Sequence, residues 1–162
     1  MVSVALLIRP ESGPDQAAVY AVHAAAFERA LEADLYERLR RDGDWLPASQ
    51  VGLLDGAVVA SVVVSRAWVG DTPVAALGPV GVLPEHQGAG HGSAVVRAAL
   101  AACAGEPLVA LLGSTEYYRR FGFAADPRVT PPVPEWGEHF QVVRNDPSVE
   151  GAFRYAAAFP AT

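Results

Sequence analysis

Between Pro84 and Ser93 the chain runs Gln87-Gly88-Ala89-Gly90-His91-Gly92, a glycine-rich turn between an apolar run and a helix-prone one. Such a turn aims several backbone N–H groups into one concavity, and the helix behind it adds the positive end of its dipole. The product is an anion site that suits a pyrophosphate without any lysine. Further on, Tyr117 and Tyr118 precede Phe121-Gly122-Phe123.

Two common phosphate motifs do not fit these glycines. A nucleotide P-loop needs Lys-Ser/Thr after its last glycine, and no lysine follows. A dinucleotide fingerprint, Gly-x-Gly-x-x-Gly, would end at Ser93 if counted from Gly88 and at Val95 if counted from Gly90. What fits is Gln/Arg-x-x-Gly-x-Gly, as Gln87, Gly90 and Gly92. On spacing alone, a plain turn between strand and helix fits equally well.

These residues need elements to hold them. Val4 to Arg9 reads as a strand stopped by Pro10, and Pro14-Asp15 as the start of an Ala-rich helix over Gln16 to Phe27. Leu31, Leu35 and Leu39 recur at i, i+4 and i+8, which predicts the buried face of a second helix ending at Arg40-Arg41-Asp42-Gly43. Gln50 to Leu54 and the Val-rich Ala57 to Ala67 flank Asp55-Gly56, a strong hairpin signal. After the turn Gly70-Asp71-Thr72-Pro73, Val74 to Leu83 reads as a strand interrupted by Gly78, Pro79 and Gly81. Residues of that kind inside a strand mark a bulge or a close approach by another backbone or ligand.

Ser93 to Ala104 is helical, with Val95, Val96, Ala99, Leu100 and Cys103 on one stripe. Leu108 to Leu112 has the wholly apolar pattern of a buried strand. A short helix over Glu116 to Phe121, closed by Gly122, a proline-rich loop over 127–137 and two late strands, Phe140 to Arg144 and Phe153 to Ala158, complete the chain. This order predicts an α/β fold with a mixed, centrally antiparallel sheet flanked by helices.

Composition removes several function classes. At 162 residues one domain is expected. A net charge of −6, with Arg40-Arg41 and Arg119-Arg120 as the basic pairs, argues against nucleic acid or an anionic membrane as partner. It is compatible with a cationic substrate. One cysteine, Cys103, rules out an internal disulfide framework or a zinc–cysteine cluster, and on its apolar stripe it reads as inert core. The four histidines lack paired ligand spacing, so no metal is expected. Val2 to Ile8 is too short for a signal peptide, and no run approaches the ~20 apolar residues of a membrane helix, so the expected compartment is the cytoplasm.

The stretch Val82-Leu-Pro-Glu-His-Gln-Gly-Ala-Gly-His-Gly-Ser-Ala-Val-Val resembles the coenzyme A motif of the GNAT superfamily of N-acetyltransferases. Leu111-Leu-Gly-Ser-Thr-Glu-Tyr-Tyr-Arg-Arg-Phe-Gly-Phe123 resembles its second motif, and Phe27 to Trp45 and Gly151 to Phe159 are similar to a bacterial branch of predicted acetyltransferases. The resemblance spans nearly the whole chain. It implies a GNAT-like sheet and a single acetyl-CoA-binding domain over residues 1–162. It further implies direct acetyl transfer from acetyl-CoA to an amine acceptor, a small molecule before a protein, without a metal.

The resemblance places the pyrophosphate on the amides of Gln87, Gly88, Ala89, Gly90, His91 and Gly92. The pantetheine arm would pair with backbone at Val80, Val82 and Leu83, with the Val82 amide polarising the thioester carbonyl. Tyr118 takes the family's tyrosine position, as general acid that would protonate the departing thiolate or hold it by a hydrogen bond, and Tyr117 is left to lining or packing. Ser114 would touch the ligand or cap the helix at Glu116; the branch often has Asp there. Arg119 and Arg120 read as a solvated helix face, with phosphate contact as the alternative.

Many superfamily members carry a glutamate on the strand before the motif, and Val74 to Leu83 holds no acid. Glu32 ranks first as general base, ahead of Asp34 and His23, and an amine that enters already deprotonated needs none. The competing function is a non-catalytic acyl-CoA-binding sensor or regulatory module. A homodimer is expected only because such assemblies are common.

Overall fold

The computed structural model describes residues 5–160. In chain order its elements are β1 (Leu7–Pro10), α1 (Gln16–Phe27), α2 (Leu31–Asp42), β2 (Gln50–Leu54), β3 (Ala57–Val69), β4 (Thr72–Val82) and α3 (His91–Ala102), followed by β5 (Leu108–Leu112), α4 (Thr115–Tyr118), β6 (Val129–Thr130), β7 (Phe140–Arg144) and β8 (Gly151–Arg154). The sheet runs β1-β2-β3-β4-β5-β7, with β8 beside the far end of β3 and β6 beside β8. Along the main path every pair is antiparallel except β4–β5, which is parallel. The fold is the expected mixed, mostly antiparallel α/β sheet flanked by helices.

β3 is the spine, and its valine-rich sequence follows from its position. Residues 59–65 are all buried, because both faces of the strand are covered, so apolar residues need not alternate with polar ones. On one face Val95, Val96 and Ala99 of α3 pack with Val62 and Val64. On the other, Val19 of α1 and Tyr36 and Leu39 of α2 pack with Val51 and Val63. The start of α1 is tied to the sheet by Asp15, whose carboxylate accepts from Arg9 at 2.7 and 2.8 Å and from the Ser12 N–H at 2.8 Å. The Arg9 bonds hold that carboxyl at a pKa of about 2.

Several expected boundaries move. β1 takes in Pro10 rather than stopping before it, which an edge strand tolerates; Val4 lies outside the described residues. β3 runs on to Val69 and β4 begins at Thr72, so the intervening turn is tighter than expected. α3 starts at His91, inside the glycine segment. The last strand is Gly151–Arg154, and Tyr155 onward leaves the ladder. Residues 127–137 are not all loop, since they hold β6 and part of a 3-10 turn at Pro134–His139. The leucine stripe of α2 is also rotated: Ala33, Tyr36 and Leu39 face the core, while Leu31 is exposed. Leu35 packs against that core and lines a cavity.

Candidate functional site

The site begins with an interruption in the sheet. β4 and β5 pair only at Ala75–Val109 and Ala76–Ala110, then part. Between the pairs Val62–Val80 and Val64–Leu77, β4 advances three residues where β3 advances two. The surplus falls at Gly78-Pro79, where Gly78 has a φ of +129° that side-chain-bearing residues rarely adopt, and Pro79 has no N–H to lose from the ladder. Past this bulge, the Leu83 N–H donates to the Val59 carbonyl at 2.9 Å. Strand alternation then turns the N–H and C=O of Val80 and Val82 away from β3, into the gap. Gln87 Nε2 donates to the Val82 carbonyl at 3.0 Å, and the Val82 N–H stays directed at the gap.

The gap leads to the glycine segment. Gly90 caps α3 with a φ of +85°, and its carbonyl accepts the first helical bond, from the Ala94 N–H at 3.0 Å. The N–H groups of His91, Gly92 and Ser93 precede that first donor and so have no partner within the helix. They border a concavity of about 330 Å³ whose walls include Val82, Gln87, Gly88 and Arg120. A Cβ on Gly92 would lie 3.5 Å from Val82 Cγ2 and 3.7 Å from the Tyr117 hydroxyl, which is ordinary contact. Packing therefore does not require a glycine there, and the space it leaves is open to a ligand. The Tyr117 hydroxyl bonds Ser93 Oγ at 2.9 Å, and the Arg120 guanidinium lies over the Tyr117 ring, 4.3 Å from its centroid.

Tyr118 points the other way. Its ring lies against Gly113, where a Cβ would meet Cε2 at 2.6 Å, and meets the rings of Tyr117 and Phe123 edge-on. Among the described residues nothing hydrogen-bonds its hydroxyl, and burial pushes its pKa up to about 12. It opens on a second cavity of about 420 Å³. Leu77 to Val80, Leu112 and Gly113 form the floor; Phe27, Glu32 and Leu35 of the helical layer form one wall, and Trp136, Tyr155, Phe159 and Pro160 the other. Glu32 accepts from Arg29 Nε at 2.8 Å and Nη2 at 2.5 Å, and that pairing lowers its pKa.

The family model for the GNAT acetyltransferases matches residues 16–123, from α1 through both glycine-bearing segments. The chain belongs to this family. Among curated proteins, this acetyltransferase is 33% identical over 135 residues to the uncharacterized N-acetyltransferase YjhQ of Escherichia coli K12, covering 77% of this chain and 75% of that protein. Among solved structures it is similar to a GNAT acetyltransferase from Brucella melitensis in complex with acetyl-CoA, with 32% identity, a TM-score of 0.83 and coverage of 96% and 99%. It is also similar to YhbS of Escherichia coli in complex with CoA, with 27% identity, a TM-score of 0.89 and coverage of 98% and 94%.

The fold of this acetyltransferase brings most of the sequence-predicted residues to two adjoining places. Val82, Gln87, Gly88, Gly90, His91 and Gly92 share the glycine cradle, and Val80, Glu32 and Tyr118 share the cavity. Leu83 does not offer its amide, which Val59 takes, and Ala89 is exposed outside the cradle wall. Ser114 serves as a cap, accepting from the Tyr117 N–H at 3.1 Å. Asp34 accepts from the Tyr20 hydroxyl at 2.7 Å on the surface, away from both places. His23 is buried against Gly81, desolvation pushes its pKa down to about 4, and it is not among the residues that line the cavity.

Arg119 and Arg120 are both exposed, as a solvated helix face requires, and Arg120 also borders the cradle. Phe27, Trp136, Tyr155 and Phe159 had no sequence signal, because they come from separate segments that meet only in the fold. Among the described residues no group of His, Cys, Asp and Glu could hold a metal ion, and no helix is long and apolar enough to cross a membrane.

Proposed function

We propose that this chain, acting as one domain, moves the acetyl group of acetyl-CoA to an amine held in the 420 Å³ cavity. The observation that carries this reading is one continuous strand edge: Val82 borders the anion cradle and Val80 borders the cavity of Tyr118. The amides of His91, Gly92 and Ser93, with Arg120, would hold the pyrophosphate, and the gap-facing backbone of Val80 and Val82 would take the pantetheine arm. Bound acetyl-CoA supplies the thioester. The Val82 N–H is placed to polarise a carbonyl in the gap.

Tyr118, on the cavity that shares the Val80–Val82 edge, would lie beside the sulfur that must depart. A phenol at about 12 is a weaker acid than an ordinary thiol near 8.5, so full proton transfer runs uphill. A hydrogen bond from the phenol to the leaving thiolate suits these values better. The N–C bond then forms as the C–S bond breaks, with the amine proton passing to solvent. Glu32, paired with Arg29 and lowered in pKa, suits an anchor for a cation better than a base, so the amine would shed its proton to water.

The test is calorimetric binding of acetyl-CoA, then thiol release against an amine panel, for wild type, Tyr118→Phe and Tyr155→Phe. The expected result is normal binding by all three and slow turnover in Tyr118→Phe alone. Loss in Tyr155→Phe instead would move the role to the cavity's other phenol. Binding without turnover of any amine would favour a non-catalytic acyl-CoA module, and no binding would make the glycine segment a plain turn.

A further inference from the structure

The cavity that Tyr118 opens on has an uneven lining. Around the floor of β4 and β5 its walls are carbon: Phe27, Leu35, Trp136, Phe159 and Pro160 among them. The aromatic wall is a packed unit. Tyr155 stacks on Phe159 with ring centroids 4.2 Å apart and meets Trp136 edge-on at 6.1 Å. Among the described residues, the one charged side chain in the lining is Glu32. Its carboxylate is held by Arg29, but the two charges are unequally screened: the Arg29 side chain is 60% exposed and that of Glu32 only 13%. Water weakens the field of the guanidinium more than that of the carboxylate, so the potential that reaches the cavity is negative. Each carboxylate oxygen also keeps acceptor capacity beyond its bond to Arg29.

Resting on the acetyl-transfer reading above, we propose that the acceptor is a monocationic primary amine on a compact aromatic or aliphatic body. Its ammonium sits against Glu32, and its body is enclosed by Phe27, Trp136, Tyr155 and Phe159. Ammonium groups are attracted both to a carboxylate and to the faces of Trp and Tyr, so charge and wall act on the same ligand. The lining also disfavours other amine classes. An amino sugar would bring several hydroxyls against Phe, Trp and Leu, where most lose water without gaining a partner. A polyamine would bury a second charge, and among the described residues no second carboxylate lines the cavity to meet it.

The experiment compares 2-phenylethylamine, glucosamine and spermidine as acceptors by thiol release, with acetyl-CoA binding measured separately by calorimetry. Direct binding of 2-phenylethylamine and of its uncharged analogue 2-phenylethanol is followed by tryptophan fluorescence with CoA present. The aromatic amine should exceed the other two at least tenfold in kcat/KM and bind more tightly than the alcohol. Glu32→Gln should raise its KM on the order of tenfold with kcat little changed, the signature of an anchor that holds the positive nitrogen equally in the ground and transition states. Arg29 is largely exposed, so releasing it does not threaten the fold.

A preference for glucosamine or spermidine, an unchanged KM in Glu32→Gln, or failure of 2-phenylethylamine both to turn over and to alter fluorescence overturns the inference. Thiol release with any other amine would still uphold acetyl transfer. Failure to bind acetyl-CoA overturns both.

Discussion

Replacing Gly113 by alanine puts a methyl group where the Tyr118 ring already lies. The new Cβ would stand 2.6 Å from Cε2 and 2.9 Å from Cδ2 of that ring. Carbon atoms pack at roughly 3.5 Å or more, so the ring must withdraw by about 1 Å. Gly113 is not among the positive-φ glycines, so the substitution adds no backbone strain. The effect therefore falls on the placement of the phenol. A misplacement of that size costs on the order of 10²-fold in rate, and loss of one donor to a developing negative charge costs on the order of 10²–10³-fold. Gly113→Ala should thus lower kcat about as much as Tyr118→Phe, with acetyl-CoA affinity close to wild type and stability reduced by roughly 1–3 kcal/mol through overpacking.

The acceptor's KM should rise as well, because Gly113 lines the cavity. The diagnostic is the double variant. If both changes act through one hydroxyl, Gly113→Ala costs little further kcat in a Tyr118→Phe background. Steady-state thiol release on the four proteins reads the cycle. A Gly113→Ala enzyme with near wild-type kcat, or losses that multiply in the double variant, refutes the reasoning.

Gly90→Ala forces a side chain into a left-handed cap at φ +85°, costing roughly 1–2 kcal/mol, and should weaken acetyl-CoA binding in calorimetry more than it lowers the kcat of the saturated enzyme. Arg40→Ala strips the carboxylate of Glu11, itself buried, of a 2.5 Å partner and leaves it the Tyr36 hydroxyl and a longer bond from Trp45; thermal melting should show a loss on the order of 3 kcal/mol, with acetyl-CoA affinity retained. His23 is held neutral by burial, with a pKa of about 4 against 6.5 when unfolded. Between those values the unfolded chain binds the extra proton, so stability falls as pH drops from 6.5 to 4, by ~3 kcal/mol for this group. His23→Gln should flatten that window in denaturant melts followed against pH, and an unchanged slope would assign it to other groups.

How legible the site was depends on how local its causes are. The glycine cradle could be read in the sequence because a turn into a helix is specified within a few residues, Gln87 to Gly92. The bulge was legible in the same way, from Gly78-Pro79 inside a strand. Which edge of β4 faces the gap was not, because the extra residue resets the alternation; Leu83 looks equivalent to Val82 until the Val59 bond is seen. The leucine repeat of α2 marked a helix correctly and its buried face in part: Leu39 is buried and Leu35 packs against the core, but Leu31 is exposed and Tyr36 supplies the volume instead. The acceptor cavity was the least legible part. Glu32 was singled out by position alone, and its pairing with Arg29 changes what it can do. The aromatic wall exists because β8 returns beside the far end of β3 and sets Tyr155 and Phe159 opposite α2, a long-range event with no local signal.

The parting of β4 from β5 also has a mechanical consequence. Two registered residue pairs are the whole backbone ladder between β4 and β5, so past them the two plates of the sheet meet through side-chain packing such as that of Leu77, Val109 and Leu111. A ligand lying in the seam and pairing with the Val82 edge would act as a splice between the plates. The free protein should then be softer at the splice than anywhere else in the sheet. Its amides at Val80 and Val82 would exchange with solvent quickly until the splice is in place. Resistance to heat and proteases would rise with ligand concentration as RT ln(1 + [L]/Kd), about 2.7 kcal/mol at a hundredfold excess over Kd. The supply of the small molecule would in this way set the working stiffness of the fold that consumes it.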